Sequence, residues 1–279
     1  MWHEEQQALY WTDLLRFLVH RYDLASGTTR SWHFEEPPVA LSLIRNSQWL
    51  LVALASHLIY WNPVTDERKP HGFLLDGSPE VRFNDGRSDP AGNFWVGSMK
   101  NNIASDGALL KAGKGLGKMF CLAIDGKVTV WREGLGISNT LCWSPDGKSF
   151  YSGDTLENVI YRYSYDQADG SIADEISFFS GDPRGAPDGS AMDSEGNLWN
   201  CRFGGGSVLC VAPDGSVREV ISIPVSNVTT CCFGGQERKT LFITTAAGPQ
   251  GANERLSGSL FAIDVTIPGL PENSFRGQP

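Results

Sequence analysis

Histidine is missing after residue 71: His3, His20, His33, His57 and His71 all precede the greater part of the chain. They are spread out rather than clustered, which removes a histidine-built zinc site. No serine sits in anything like a nucleophile elbow, so a Ser-His-Asp hydrolase finds no support. No run reaches the roughly 18 apolar residues of a membrane helix. Helical periodicity is scarce. The six cysteines (Cys121, Cys142, Cys201, Cys210, Cys231 and Cys232) contain no CxxC pair and read as reduced core residues. Cys231 and Cys232 are neighbours whose side chains would leave a strand in opposite directions. Positive charge is also scarce. The formal net charge is −9, and the one basic stretch, Lys111 to Lys118, is too small to suggest nucleic acid or an anionic membrane as partner. Within that stretch, Gly113 to Met119 is one residue short of phosphate-loop spacing and lacks the closing Ser or Thr, so it reads as a loop. No charged and apolar leader opens the chain, and a cytoplasmic location is expected.

The chain is rich in glycine, aromatics and tight-turn signals. With 31 glycines, 9 tryptophans and 41% hydrophobic residues, the composition fits many short strands around a large core. Asp89-Pro-Ala-Gly-Asn-Phe-Trp95 is repeated by Asp193-Ser-Glu-Gly-Asn-Leu-Trp199. Turn-rich segments lead to apolar or aromatic strands at Tyr10-Trp11, Leu50-Leu51, Trp95, Phe150-Tyr151, Trp199 and Leu241-Phe242, at spacings of roughly 40 to 56 residues, the length of one propeller blade. The expectation is an all-β, six-bladed β-propeller forming a single domain over residues 1–279. An inserted loop is expected at about 100–118, and an extended, loosely held tail at about 267–279. Asp125-Gly126, Asp146-Gly147 and Asp214-Gly215 are expected to close two-residue hairpins.

Oxygen-bearing side chains that regular strands do not need occur at Arg82 and Asn84, at Ser138 and Asn139, at Asp154 and at Asp188. Asn84-Asp85-Gly86 also reads as a simple turn, and Asn139 as a loop amide holding its own backbone. Asp188 is the sharper case, because Ala-Pro-Asp-Gly-Ser occurs twice. The copy at 212–216 lies between two strand-like runs and reads as a hairpin turn. The copy at 186–190 leads into a blade, which leaves Asp188 for another use. Asn139 and Asp188 are about one blade apart, as are Arg82-Asn84 and Asn139, and equivalent blade positions are expected to converge. Oxygen donors without sulfur or imidazole describe a site for a hard cation such as Ca²⁺, Mg²⁺ or Mn²⁺.

Together with Ala8 to Asp13, His20 to Asp23, Arg82 to Gly86, Ser144 to Gly147, Asp154-Thr155, Pro187 to Gly189, Phe233 to Gly235 and Thr244-Thr245, these residues resemble the senescence-marker-protein/gluconolactonase family of six-bladed propeller lactonases. The resemblance spans nearly the whole chain. It implies one divalent cation (Ca²⁺, Mg²⁺, Mn²⁺, Zn²⁺ or Fe²⁺) held by Asn139, Asp188 and a glutamate from a Gly-Glu-x-Pro-x-Trp motif. Trp2 matches that motif's tryptophan, which puts the expected glutamate ahead of Met1. It further implies Arg82 and Asn84 as substrate-binding residues, Asp154 as a polar support, and Asp188 as metal ligand and candidate general base. Thr140 stands where many members carry glycine, and is expected to crowd or rim the pocket. The implied reaction is metal-dependent hydrolysis of a sugar lactone to its aldonic acid. Hydrolysis of other esters or phosphotriesters, and a non-catalytic propeller binding metal or a small ligand, stand as alternatives, since fold alone does not decide function.

Overall fold

Asp89 and Asp193 show why the chain folds in repeats. Each carboxylate is buried at the head of a tight turn and accepts the backbone N–H of the asparagine four residues on, at 2.7 Å in Asn93 and 2.9 Å in Asn197. Each also accepts that asparagine's side-chain amide, at 2.9 and 2.8 Å, and the indole N–H of the tryptophan six residues on, at 2.8 and 2.9 Å. The phrase Asp-x-x-Gly-Asn-x-Trp therefore encodes a hydrogen-bonded turn that delivers a tryptophan into the core, and it does so twice.

The computed structural model describes residues 1–104, 108–248 and 254–279. The chain is an all-β, six-bladed β-propeller, with one sheet per blade. In chain order the strands are β1 (Trp2–His3), β2 (Ala8–Asp13), β3 (Leu18–Asp23), β4 (Thr28–His33); β5 (Pro38–Ile44), β6 (Leu50–Leu54), β7 (His57–Trp61), β8 (Arg68–Leu74); β9 (Val81–Ser88), β10 (Phe94–Lys100), β11 (Gly117–Leu122), β12 (Val128–Leu135); β13 (Ser138–Trp143), β14 (Ser149–Asp154), β15 (Val159–Asp166), β16 (Ser171–Ser180); β17 (Ala186–Met192), β18 (Leu198–Phe203), β19 (Ser207–Val211), β20 (Val217–Ser222); and β21 (Val228–Gly234), β22 (Thr240–Thr245), β23 (Leu260–Asp264). A last strand, β24 (Ser274–Phe275), joins the second sheet beside β5. All six aromatic or apolar landmarks of the sequence fall on the second strand of their sheet. Among the described residues no α-helix forms, and no helix is long and apolar enough to cross a membrane.

The chain divides into two compact units. Met1–Ser138 with Glu272–Pro279 holds the first three sheets, whose cores include Trp61, Phe83, Phe94 and Phe275. Phe275 is buried, its strand runs parallel to β5, and the Arg276 N–H donates to Gly92 O at 2.9 Å. The tail is therefore extended but pinned, contrary to the loose end expected, because one buried aromatic outweighs its poverty in apolar residues. Asn139–Pro271 holds the other three sheets around Cys142, Tyr151, Trp199, Leu209 and Phe233. Here too the tail is held: the Leu270 N–H donates to Met192 O at 3.1 Å. All six cysteines are buried and free.

The Asp-Gly hairpins differ from expectation by one or two residues. Only the glycines take positive φ, Gly126 at 84°, Gly147 at 66° and Gly215 at 87°. Gly126 N–H donates to Ala123 O and Gly215 N–H to Ala212 O, closing three-residue loops rather than two-residue ones. Glycine alone takes the left-handed step, as in a type I turn followed by a bulge. The hairpin at 145–148 is longer still, closed by the Ser144 N–H to Ser149 O.

Candidate functional site

Four of the five candidate side chains lie on the first strand of their sheets: Arg82 and Asn84 on β9, Asn139 on β13 and Asp188 on β17. Asp154 ends β14, the second strand of its sheet. Arg82 and Asn84 belong to the first unit, and Asn139, Asp154 and Asp188 to the second.

In the first unit, Asn84-Asp85-Gly86 is strand and not the turn its composition suggests. Val96 pairs with Gly86 and Ser98 with Phe83, so Asn84 and Asp85 together face the single residue Gly97. This is a β-bulge, which re-aims side chains without ending the strand. None of Asn84, Asp85 and Gly86 takes a positive φ; glycine at 86 is required instead by packing, since a Cβ there would lie 2.7 Å from the Phe94 ring. A Cβ at Gly97 would collide with Ser138 Oγ, so glycine permits the close approach there. Arg82 is buried. Its Nη1 donates to Phe83 O at 2.7 Å and Asn84 Oδ1 at 3.0 Å, while Nε and Nη2 donate to Asn102 Oδ1 at 3.1 and 2.8 Å. The Asn84 amide in turn donates to Ser138 O at 2.9 Å.

The second unit repeats the device. Pro187 pairs with Arg202 and Ser190 with Asn200, so Asp188 and Gly189 face Cys201 alone. The same pentapeptide forms a hairpin turn at 212–216, as expected, and a bulged strand at 186–190. The bulge is braced by two threonines. Thr155 Oγ1 donates to Pro187 O at 2.7 Å and itself accepts the Asn139 amide at 2.7 Å. Thr140 Oγ1 donates to Asp188 O at 2.6 Å. Asn139, 5% exposed, is thus not a loop amide holding its own backbone; it lies on β13 and is tied through Thr155 to the residue before Asp188. Behind this lies Asn200, whose amide donates to Ser190 Oγ at 2.9 Å. Its Oδ1 accepts Arg202 Nη1 at 3.0 Å. Arg202 is 0% exposed. Its other N–H groups reach Asn158 Oδ1 and Gly185 O at 2.7 Å and Arg184 O at 3.0 Å. Burial without a carboxylate among these partners pushes the guanidinium down to about 10. Asp154, 3% exposed, accepts the Leu156 N–H at 3.0 Å and so holds the turn that carries Thr155.

Sequence reasoning singled out Asn139 and Asp188 but missed the frame that joins them. Asn200 and Arg202 are separated by two on β18 and share a face. A polar pair on one face of a strand otherwise made of Leu, Trp, Cys and Phe was the available signal.

The donor set fits a hard divalent cation. The Asn139 amide nitrogen donates to Thr155; its carbonyl oxygen and the Asp188 carboxylate are oxygen donors of the kind Ca²⁺, Mg²⁺ and Mn²⁺ prefer. Burial pushes the Cys201 thiol well above its ordinary range. Among the described residues no three His, Cys, Asp or Glu side chains are arranged so as to hold a metal ion by themselves.

Bulged first strands carrying asparagine and aspartate on a six-sheet propeller define a class in which the blade edge supplies polar groups. The SMP-30/Gluconolactonase/LRE-like region family matches residues 1–247, and the chain belongs to that family. A 6-deoxy-6-sulfogluconolactonase from Pseudomonas putida is 33% identical, with 99% of this chain and 94% of that protein covered. A pentonolactonase from Haloferax volcanii is 32% identical, covering 98% and 91%. Among solved structures, a calcium-binding protein, regucalcin, from Agrobacterium tumefaciens is 27% identical with a TM-score of 0.91, covering 99% of this chain and 92% of that one.

Proposed function

We propose that this chain is a lactonase that hydrolyses the ring ester of a sugar lactone to the open aldonic acid, with a divalent cation at Asn139 and Asp188. The observation that carries the reading is the braced Asp188: both carbonyls flanking its Cα-side bulge are held by threonine hydroxyls, at 2.7 and 2.6 Å, in a chain whose relatives include enzymes named as lactonases. Preorganisation of this kind is what an acyl-transfer site needs. A bound cation supplies Lewis-acid polarisation of the lactone carbonyl. Asn139 and Asp188 hold it with oxygen, and Asp188 is the carboxylate proposed to take the proton of the attacking water. Water adds to the carbonyl carbon, the ring C–O bond breaks, and the departing alkoxide takes up a proton as the sugar hydroxyl. Asn84 is the proposed contact to the sugar hydroxyls. Arg82, whose guanidinium holds Asn84 and Asn102, sets the aim of that amide in the substrate-binding pair. Asp154 supports the site through the turn that carries Thr155. The six buried free thiols suit a reducing compartment, and we place the protein in the cytoplasm.

The test is proton release from a panel of five- and six-membered aldonolactones, corrected for spontaneous opening, before and after chelation. Turnover that is lost on chelation and restored by Ca²⁺ or Mn²⁺ is the expected result. Turnover indifferent to chelation would remove the cation from the reading. No turnover by folded protein would favour a binding propeller instead.

A further inference from the structure

Thr140 has a backbone that its side chain does not favour. Its φ is 56°, a left-handed value that is an outlier for a β-branched residue. Glycine adopts it without strain. Packing alone does not account for a strained threonine there; its hydroxyl does. That hydroxyl donates to Asp188 O at 2.6 Å, lies 3.0 Å from Ser190 Oγ, and is 3.3 Å from the Asn200 amide, which donates to it. Asn200 is in turn held by the buried Arg202. A bulge leaves its extra residue without the ladder bonds of a regular strand, and Asp188 is in the bulge. The threonine hydroxyl, at 2.6 Å, is the shorter of two side-chain donors to the Asp188 carbonyl, the Asn200 amide lying at 3.4 Å.

We propose that Thr140 is a positioning residue for Asp188, the last member of a chain running from Arg202 through Asn200 and Thr140 to the Asp188 carbonyl, and that it fixes the aim of the Asp188 carboxylate. The inference rests on the role proposed above for Asp188. The left-handed turn at 140 brings the hydroxyl onto the bulge, and the hydroxyl-bearing side chain retains what glycine would lose.

The experiment uses the full chain and four proteins: wild type, T140S, T140V and T140G. Two quantities are measured on each: kcat and KM for an aldonolactone, and hydrogen–deuterium exchange of the segment 186–192. In T140V, kcat is expected to fall by about tenfold or more while KM changes by less than about threefold. Exchange at 186–192 is expected to quicken by a similar factor with the rest of the chain unchanged. T140S is expected to restore both. T140G relieves the backbone strain and guards against misfolding of T140V, and is expected to share the fast exchange. Wild-type kcat and exchange in folded T140V or T140G would overturn the proposal, as would T140S as impaired as T140V. If wild type itself opens no lactone, the lactonase reading fails, and the exchange comparison alone decides whether Thr140 holds the bulge.

Discussion

Asp188 and Arg202 illustrate two ways in which a single buried polar residue matters. Asp188 is proposed to act on substrate, so its replacement should leave the fold and remove the chemistry. Asp188→Ala is expected to retain the wild-type thermal midpoint within a few degrees and lose about two to three orders of magnitude in kcat; full metal-dependent turnover in the folded variant would show the centre lies elsewhere. Arg202 is the converse. Its N–H groups satisfy Asn158, Asn200 and three backbone carbonyls from a position without exposure. Arg202→Met takes the donor from all of those acceptors, Asn200 among them fully buried, and is expected to cost about 3 kcal/mol or more. Arg184 pairs with Asp182 in a more open setting, its side chain 38% exposed. Arg184→Met is expected to cost under about 1 kcal/mol. Urea midpoints for the two variants check the ranking. Equal losses would mean the buried frame around Asn200 is not stabilising.

At the scale of elements, the same short phrase can make different structures. Asp-x-x-Gly-Asn-x-Trp folds identically at 89–95 and 193–199 because all its hydrogen bonds are local. Asp193→Ala removes acceptors from Glu195, Asn197 and Trp199 at once. The expected loss is about 2–4 kcal/mol, measured by chemical denaturation, with Asp89→Ala behaving alike. Ala-Pro-Asp-Gly-Ser, by contrast, closes a hairpin at 212–216 and bulges a strand at 186–190. The flanking strands decide between them. Gly189 shows the difference: a Cβ there would strike Thr230, whereas Gly215 needs glycine for its positive φ of 87°. Gly189→Ala is therefore expected to be the more disruptive of the two, since it meets packed neighbours rather than a strained turn. Asn84-Asp85-Gly86 carries the same lesson, because its turn residues serve a bulge.

Across the whole molecule, acid should act through a few half-buried histidines. Burial lowers His3, His20 and His71 below their ordinary value of 6.5. Between the lowered value and 6.5 the unfolded chain binds more protons than the folded one, so stability rises with pH there and is lost as pH falls through 6.5. A second loss is expected at lower pH, where Asp182, held below its ordinary 3.8 chiefly by the Arg184 hydrogen bond, takes up its proton. Thermal midpoints should be level above about pH 7 and decline below it. His71 contacts Tyr60 and Phe275, at ring separations of 5.2 and 6.2 Å, and has a buried Nδ1 with no partner among the described residues. His71→Phe should therefore give a shallower decline between about pH 6.5 and 5. An unchanged slope would exclude His71 from the acid response.

The sequence by itself determined the architecture: six blades, one apolar or aromatic strand in each, the reduced cysteines and the two roles of one pentapeptide were legible because they rest on short-range turn chemistry and on the period of apolar residues. It also singled out Asn139 and Asp188 as oxygen-bearing residues out of place on ordinary strands. Only the tertiary structure decided how those residues are held. The bulges at Asn84-Asp85 and Asp188-Gly189, the left-handed backbone of Thr140, the pinned tail and the frame from Arg202 to Asp188 all depend on partners far away in the chain. A hydrogen bond between residues 140 and 188 leaves no periodic trace, because its geometry is set by the packing of one sheet against the next.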